Sequence, residues 1–268
     1  MLPINYFWIG EQLSPMELLT LQACAEHGHR PIVWSYQQIT NLPSSSELCD
    51  AATIMDRGRF EHLRHDLQLP LPVISDVFRY QMLNEVGGIY SDTDVVIVKN
   101  LQPLFERGDF FCSTYEYGYG VCANNCFMKV SARSALARYL CEESERRLNE
   151  VEADGLAEEN YCYLGPFLVQ KCASDLNVPL LPFDYINPIS WRWVSKLIAF
   201  KEPDHKFLLK NRIRKYLPFI EGRGYHITSN TYAIHLCNEI WKRGNLNKNE
   251  NYHPSSLYEK LKRRVVAA

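Results

Sequence analysis

The sequence predicts an α/β fold, and three observations support this prediction. Residues 1–36 read as a strand, a helix and a second strand. Residues 75–98 read as a helix, a double-glycine break and a strand. The run from Val95 to Val98 is uninterrupted and apolar, which is typical of a strand covered on both faces. Strands and helices that alternate in this way predict a sheet with parallel strands.

The first strand–helix–strand unit can be followed residue by residue. The first strand is predicted from Ile4 to Ile9, and it ends at Gly10. Ser14 is expected to cap the helix that follows, with Glu17 completing a capping box. Residues 31–36, PIVWSY, predict the second strand. A strand–helix–strand unit of this length predicts that its two strands are parallel.

The middle of the chain predicts a helix, two strands and a charged helix. Ser75 is the predicted N-cap of a helix that ends near Gly87 and Gly88. Residues 89–98 predict one continuous strand, and residues 110–114 predict another. Residues 131–160 have a helical pattern and many charges, which favours a helix with a solvated face.

Composition restricts the classes of protein to which the chain can belong. A net charge of −2 with 46% hydrophobic residues fits a globular enzyme and does not favour nucleic-acid binding. No apolar run reaches the ~18 residues of a membrane span, and the first ten residues lack the basic start of a secretory signal. The nine cysteines are scattered, which predicts reduced thiols and a cytoplasmic location. No linker divides the chain, so we expect one domain over residues 1–268.

Asp92 and Asp94 are the leading candidate site. If both lie in one strand, their side chains share a face, because successive strand residues alternate. Two carboxylates this close repel each other unless a cation or a proton joins them. Oxygen ligands favour Mg²⁺, Mn²⁺ or Ca²⁺. The pair therefore predicts a divalent metal site, and the competing interpretation is an ordinary surface turn.

Three further features each have a structural and a functional interpretation. Asp76 and Arg79 share a helix face and predict either a local ion pair or a pair of ligands for sugar hydroxyls. Trp8 is either a core residue or a surface on which a nucleobase stacks. His235 lies in an apolar segment, where a hydrogen-bonded core histidine competes with a metal ligand. Asn238 is equally consistent with a helix cap.

These motifs together resemble a known family. An early W-x-G, then S-D-x-x-R-Y-x-x-L-x-x-x-G-G-x-Y-x-D-x-D, then a late A-x-H-x-x-N segment is similar to the DXD-containing sugar transferases of glycosyltransferase family 32. That family includes yeast-type mannosyltransferases, α-galactosyltransferases and bacterial capsule and O-antigen enzymes. The pattern also resembles the catalytic domains of clostridial glucosylating toxins. The resemblance is dense over residues 75–98, has support at both ends and is not evident over residues 100–225.

The resemblance implies a GT-A fold, in which a Rossmann-like nucleotide-binding domain has a mixed central sheet and added helices. Residues 1–115 would form the nucleotide-sugar-binding half, and residues 116–268 the acceptor side with the late metal or diphosphate segment. The implied donor site divides into three groups. Trp8 would stack on the base, and Gly10 belongs to the same donor site. Asp76 and Arg79 would hold the donor sugar, with Tyr90 beside it. Asp92 would reach the ribose or sugar side as well as the metal, Asp94 would bind the metal most directly, and His235 or, alternatively, Asn238 would complete the metal or diphosphate site.

The resemblance also implies the reaction. Such an enzyme moves a hexose from a nucleotide-sugar to an acceptor with Mn²⁺ or Mg²⁺, and it retains the anomeric configuration. We expect a UDP-hexose as donor, with GDP-mannose as the alternative, and a glycan or lipid-linked acceptor. The expected setting is bacterial surface polysaccharide synthesis, such as capsule or lipopolysaccharide. No nucleic-acid partner is expected.

Three other functions stay open at this point. A protein of the same fold could bind a sugar nucleotide without catalysing transfer, or it could be an effector that glycosylates a protein. A metal-dependent phosphohydrolase could use Asp92 and Asp94, but it would leave Trp8 and the Asp76–Arg79 pair unexplained. The presence of both carboxylates with Asp76 and Arg79 favours an active transferase.

Two basic segments raise the question of membrane contact. The segment from Lys206 to Arg223 mixes six Lys or Arg residues with apolar side chains, and a second basic cluster runs from Lys260 to Arg264. Such a segment can lie on an anionic membrane at the inner face, where a lipid-linked acceptor would be found. The competing interpretation is a basic helix packed on the domain.

Overall fold

The structure is a computed structural model that describes residues 1–116, 118–154, 162–214, 216 and 227–266. Its described strands are β1 (Leu2–Phe7), β2 (His29–Ser35), β3 (Glu47–Asp50), β4 (Gly88–Ser91), β5 (Val95–Ile97), β6 (Phe110–Glu116), β7 (Gly120–Val130) and β8 (Ala233–His235). Its described α-helices are α1 (Pro15–Glu26), α2 (Arg57–Glu61), α3 (Leu71–Glu85), α4 (Gln102–Phe105), α5 (Ala135–Asp154), α6 (Pro166–Leu176), α7 (Phe183–Ile186), α8 (His205–Arg214), α9 (Asn238–Arg243) and α10 (Leu257–Val266).

The main sheet is mixed and has the strand order β3-β2-β1-β4-β7-β6. The strands β3, β2, β1 and β4 are parallel to one another. Strand β7 runs antiparallel to both of its neighbours, β4 and β6. A smaller antiparallel sheet joins β5 to β8. The predicted α/β class and the mixed central sheet are therefore confirmed. Strand β3 was not predicted, because ELCD is short, polar and on the sheet edge.

The first strand–helix–strand unit is confirmed. Ser14 and Glu17 form the predicted capping box at the start of α1, and β1 is parallel to β2. A buried asparagine joins three strands, since Asn5 accepts a hydrogen bond from the Trp34 indole at 3.0 Å and donates to the Ile89 carbonyl at 3.1 Å. These bonds hold β1, β2 and β4 in register, so the carboxyl ends of β1 and β4 lie side by side.

Helix α3 begins earlier than predicted. Ser75 is not its N-cap, because the helix starts at Leu71 after an extended Pro70. Pro72 suits the first turn, where a proline ring fits and no backbone donor is needed. The predicted end is confirmed, since the helix finishes at Glu85 just before the two glycines. At Gly87, φ is +69° and an added Cβ would lie 2.6 Å from the Ala132 nitrogen, so only glycine fits there.

The strand predicted over residues 89–98 is in fact two strands in two sheets. Strand β4 belongs to the main sheet, and β5 pairs with β8. Between them the chain turns, since the Asp92 N–H donates to the Cys126 carbonyl at 2.8 Å and the Val95 N–H donates to the Asp92 carbonyl at 3.1 Å. Alternation within a single strand therefore does not explain how Asp92 and Asp94 converge. The apolar run after them is buried as predicted, with Val95, Val96 and Ile97 at most 1% exposed.

Apolar side chains cover both faces of the main sheet. Phe7 packs on one face, where its ring stacks on Phe78 of α3 at 3.9 Å between centroids. Ile4 and Tyr6 point to the other face, toward Leu21 of α1. Helix α5 confirms the predicted charged helix over Ala135–Asp154, residues 131–134 form a turn before it, and residues 155–160 of that prediction lie outside the described residues. Among the described helices, none has the length and apolar character required to span a membrane.

Candidate active site

A cavity of about 420 Å³ lies at the carboxyl ends of β1 and β4. Open α/β sheets bind their ligands at this edge. The residues predicted to form a site line this cavity, with the exception of Gly10: they are Trp8, Asp76, Arg79, Tyr90, Asp92, Asp94, His235 and Asn238. Residues that are far apart in the sequence therefore meet in one place.

The turn between β4 and β5 directs Asp92 and Asp94 toward His235. One ligand atom from each of the three side chains lies within 4.8 Å of the other two. The pairing of β8 with β5 produces this meeting, because His235 is the register partner of Val95, the residue directly after the turn. The His235 Nε2 atom lies 3.4 Å from Asp94 Oδ2. Two carboxylates and one imidazole form a donor set that suits Mn²⁺ or Mg²⁺, so these three side chains could hold a metal ion.

The environments of the two carboxylates shift their pKa values in opposite directions. Burial raises the pKa of Asp92 above its ordinary value, and the Arg79 guanidinium offsets this only in part. Burial acts in the same direction at Asp94, but the His235 ring and the Asn238 backbone N–H outweigh it and lower the pKa of Asp94. A cation between the two carboxylates would remove their mutual repulsion and the cost of burying them.

Asn187 orients the ring of His235. The imidazole Nδ1–H donates to Asn187 Oδ1 at 2.9 Å, and the Asn187 amide donates to the Ser113 carbonyl at 2.9 Å. With Nδ1–H donating to Asn187, the Nε2 atom faces Asp94 and the candidate metal position. It carries a proton when it pairs with the Asp94 carboxylate, and it would offer its lone pair when a metal ion takes the place of that proton. Asn187 is 4% exposed and is therefore held firmly.

Asn238 contributes to the same cluster through its backbone. Its N–H donates to Asp94 Oδ2 at 2.6 Å, and its side-chain Oδ1 is buried without a hydrogen-bond partner. The residue before it, Cys237, has a left-handed backbone with φ of +57°, which turns the chain from β8 into α9. Asn238 therefore lies beside the metal candidates with one side-chain acceptor still available.

Arg79 joins two carboxylates. Its Nη2 lies 3.1 Å from Asp76 Oδ1 and 2.9 Å from Asp92 Oδ1. The guanidinium lies 4.7 Å from the centroid of the Tyr90 ring, and the Tyr90 hydroxyl is 3.2 Å from the Ser75 hydroxyl. The predicted Asp76–Arg79 pair is therefore formed, and it also reaches the turn that carries Asp92.

A close backbone approach fixes the position of Asp76. Asn125 Nδ2 donates to Asp76 Oδ1 at 2.8 Å, and an added Cβ on Gly165 would lie 2.6 Å from Asp76 Oδ2. Burial raises the pKa of Asp76, and the nearby Arg79 charge opposes this shift. Asn125 and Gly165 come from β7 and from the residue before α6, so three separate elements position this carboxylate.

Trp8 lies directly after β1 and lines the same cavity. Its ring is half-buried, and its indole N–H is buried without a hydrogen-bond partner. Gly10 has φ of +138°, and an added Cβ there would lie 3.3 Å from the indole nitrogen, so the glycine leaves room for the ring. The Lys248 ammonium lies 5.9 Å from the ring centroid and is paired with Glu17 at 2.5 Å.

The comparisons with known proteins agree with this geometry. Residues 20–111 match the family described as "Glycosyltransferase sugar-binding region containing DXD motif". Residues 20–111 are therefore similar to a glycosyltransferase sugar-binding region. The glycosyltransferase and DXD predictions are confirmed at this level. A search of curated protein sequences gave no match.

Solved glycosyltransferase structures are similar to the whole chain. The structure titled "PaToxG Glycosyltransferase" matches with a TM-score of 0.50 and 13% identity over 98% of this chain and 86% of that one. Two structures of GlyE from Streptococcus pneumoniae TIGR4, one of them in the apo form, match with TM-scores of 0.46 and 0.45 and 10% identity. This chain spans 63% of the GlyE chain. The PaToxG match confirms the predicted GT-A fold.

The residues that line the cavity include two groups, and the sequence did not reveal the second group. We call Asp76, Arg79, Asp92, Asp94 and His235 the acidic wall, and Thr114, Glu116 and Trp191 the aromatic wall. Besides the aromatic wall, sequence reasoning missed the contributions of four residues: Asn125, Gly165, Asn187 and Lys248. One signal was available, namely the polar pair at residues 124–125 inside the mostly apolar strand β7.

Proposed function

We propose that this glycosyltransferase moves a hexose from a nucleotide-sugar, with a UDP-hexose favoured, to a glycan or lipid-linked acceptor. The observation that carries this proposal is the joining of two groups in one cavity. Arg79 links Asp76 to Asp92 within 3.1 Å, and Asp92 belongs to the cluster with Asp94 and His235. A simple metal-dependent hydrolase has no use for the first group, whereas a sugar donor uses both.

Each part of the acidic wall has a proposed role toward the donor. Asp92, Asp94 and His235 would hold Mn²⁺ or Mg²⁺, which would supply positive charge where the leaving diphosphate becomes negative. Asp76 accepts hydrogen bonds and Arg79 donates them, so the two together can bind the hydroxyls of the donor hexose. Tyr90 supports the Arg79 guanidinium through its ring.

Trp8 and Lys248 extend the proposed donor site toward the nucleotide. The half-buried Trp8 ring offers a flat surface on which uracil can stack. The Lys248 ammonium lies near that ring, and its charge also helps to lower the pKa of Asp94, after larger effects from His235 and Asn238. A cation between the base position and the metal position favours a diphosphate there.

The proposed chemistry is transfer with retention of anomeric configuration. The bond between the anomeric carbon and the diphosphate oxygen breaks, and a bond from that carbon to the acceptor hydroxyl oxygen forms. The leaving diphosphate accepts the proton of the acceptor hydroxyl. The role that we propose for this reaction is bacterial surface polysaccharide synthesis, with residues 1–268 acting as one catalytic unit.

Peripheral membrane contact is a further part of the proposal. On α8, Leu209 and Ile213 are 60% and 49% exposed and stand one turn apart, with the exposed Lys206 and Lys210 nearby. Residues 215 and 217–223 of the predicted basic segment lie outside the described residues. Sedimentation with vesicles of 30% anionic lipid should recover the protein at low salt and release it at high salt; no sedimentation at low salt contradicts this contact.

A binding panel tests the donor assignment. Calorimetry with UDP, GDP, UDP-glucose, UDP-galactose, UDP-N-acetylglucosamine and GDP-mannose, each with and without MnCl₂, should show UDP compounds binding best and only with the metal. Preferential binding of GDP-mannose would contradict a UDP-hexose donor and assign GDP-mannose in its place. Absence of binding by every nucleotide would contradict the proposed function, and tight binding without any sugar transfer or donor hydrolysis would favour a non-catalytic module.

A further inference from the structure

The aromatic wall contains an ordered pair of side chains that the donor site does not use. The Trp191 indole N–H donates to the Glu116 carboxylate, at 3.1 Å from Oε1 and 3.2 Å from Oε2. The Thr114 hydroxyl donates to Glu116 Oε1 at 3.4 Å. Both Glu116 and Trp191 line the same cavity as Asp92 and Asp94. The pair therefore lies within the space that a transferase needs for its second substrate.

Trp191 remains open to solvent although its indole is held. It is 42% exposed, and the Arg192 guanidinium lies 5.1 Å from its ring centroid, which supports the ring. Ser190 caps the short 3₁₀ turn Trp191–Trp193 by accepting a hydrogen bond from the Arg192 N–H at 3.3 Å. An exposed aromatic plane that is fixed before any ligand binds loses little conformational entropy on binding.

Glu116 has acceptor capacity left over. An ionised carboxylate offers about four lone-pair directions, and the two protein donors described above, Trp191 and Thr114, occupy only some of them. A pyranose has an apolar C–H face and a rim of hydroxyl donors. The first can stack on the indole, while the second can donate to the carboxylate.

The chain segment that carries Trp191 also contacts the candidate metal cluster. Asn187, four positions before Trp191, accepts the hydrogen bond from His235, and Ile189 between them lines the cavity. The aromatic plane is therefore tied through a short, hydrogen-bonded segment to the side chain that faces Asp94. A ligand bound to the aromatic wall would therefore lie in the same cavity as the acidic wall.

We propose that Trp191 and Glu116 form the acceptor subsite and that it takes a pyranose ring of a glycan, stacked on the indole with a hydroxyl donated to the carboxylate. This inference rests on the proposed glycosyltransferase function and names the chemical class of its second substrate. Glu116 binds the acceptor in this arrangement and does not need to remove its proton.

The test observes the indole N–H of Trp191 directly. In ¹H–¹⁵N spectra of the protein with UDP and MgCl₂, a diamagnetic salt that leaves nearby signals sharp, the Trp191 indole signal is identified by its loss in Trp191→Phe. Methyl glycosides of glucose, galactose, mannose and N-acetylglucosamine are then added. At least one should move this signal, and Glu116→Gln should weaken its apparent affinity about tenfold. Trp193→Phe is the matched control, because Trp193 packs against Phe207, and it should leave the response unchanged.

The outcomes separate the subsite from the donor site. Calorimetry on the same samples reports UDP binding, so a protein that binds UDP but shows no glycoside response at Trp191 overturns the subsite alone. A response to a Ser/Thr peptide in place of the glycosides also overturns it, in favour of a protein acceptor. Absence of UDP binding overturns the proposed function and the subsite together. Thermal melting of each variant verifies that it is folded.

Discussion

The two walls of the cavity differ in how completely their polar groups are held by the protein. On the acidic wall, Arg79 joins Asp76 to Asp92, and Asp94 accepts the Asn238 N–H at 2.6 Å. On the aromatic wall, Trp191 and Glu116 hold each other, and the ring is 42% exposed. The acidic wall is thus organised before a ligand arrives, whereas the aromatic wall keeps much of its binding capacity available.

The two walls are suited to different tasks, one to stabilising charge and the other to binding an acceptor. Charge that develops during transfer is stabilised best by groups that do not need to rearrange. Such groups must be buried and held in place by hydrogen bonds or ion pairs. An acceptor must enter and leave, and a surface that accepts it can stay open. We therefore expect substitutions on the acidic wall to reduce chemistry and metal binding, and substitutions on the aromatic wall to reduce acceptor affinity alone.

The largest expected effect follows from Asp94→Asn. The amide keeps the shape of the side chain and can still accept the Asn238 N–H, but it removes the charge that a cation requires. We expect transfer to fall by about 10²–10³-fold or more and Mn²⁺ affinity to fall with it. Calorimetry with MnCl₂ and a transfer assay measure the two effects. Unchanged transfer, or full activity of the wild type in excess EDTA, would contradict a metal on this wall.

The second-largest effect is expected at Asn187, whose side chain accepts the hydrogen bond from the His235 ring. Asn187→Leu removes the acceptor of the Nδ1–H, so the ring can rotate or change tautomer. Because supporting residues of metal ligands typically change affinity by about 10–100-fold, we expect a loss of Mn²⁺ affinity in this range.

Two measurements distinguish positioning by Asn187 from general stability. With MgCl₂ present, the ¹⁵N chemical shifts of His235 should show one tautomer in the wild type and a mixture in Asn187→Leu. Asn187→Asp can still accept the Nδ1–H and should recover most of the affinity. An unaltered tautomer together with normal Mn²⁺ binding in Asn187→Leu would show that the contact does not orient the ring.

A smaller effect is expected at the nucleotide end of the cavity. Trp8→Ala should weaken UDP binding by about 1–3 kcal/mol, because it removes the surface for base stacking. Trp8→Phe keeps an aromatic plane and should lose less. Mn²⁺ affinity should stay near the wild-type value in both variants, which calorimetry can verify. Equal UDP affinity in Trp8→Ala and the wild type would assign the ring to the core alone.

Four of the five residues of the acidic wall lie within residues 76–94, so their proximity could be predicted from local patterns. Asp76 and Arg79 lie on one helix face, and Asp92 follows them after a double-glycine break, so chain geometry over 20 residues brings them together. The contact of His235 with this group depends on the pairing of β8 with β5. No local sequence pattern indicated that distant contact. It was expected only from the resemblance to a known family.

The turn between β4 and β5 and the pairing of Glu116 with Trp191 were not predicted, because both depend on contacts between distant parts of the chain. The sequence predicted one strand over residues 89–98, because apolar residues on both sides of the turn have the same β-propensity. The actual turn depends on a hydrogen bond to Cys126, a partner in a distant strand. Glu116 and Trp191 are separated by 75 positions, and neither belongs to a periodic pattern, so no sequence signal joined them.

The last prediction concerns the stability of the fold at His29, a residue that does not belong to either wall. His29 begins β2 at the end opposite to the cavity edge, and its Nε2 accepts the Leu101 N–H at 3.0 Å. Burial lowers the pKa of His29 to about 4. The unfolded chain binds this proton near pH 6.5, so stability should be lost as the pH falls from about 6.5 toward 4.

We expect protonation of this single buried group to reduce the free energy of unfolding by about 1–3 kcal/mol over that range, since each unit of difference in pKa between the folded and unfolded chains corresponds to about 1.4 kcal/mol. Chemical denaturation of the wild type and His29→Gln at pH 7.5 and pH 5 measures it. Glutamine can still accept from Leu101 but cannot be protonated, so the variant should lose less stability on acidification. If both proteins lose the same amount, the acid sensitivity has its origin elsewhere, and the carboxylate–histidine cluster of the acidic wall becomes the next place to measure.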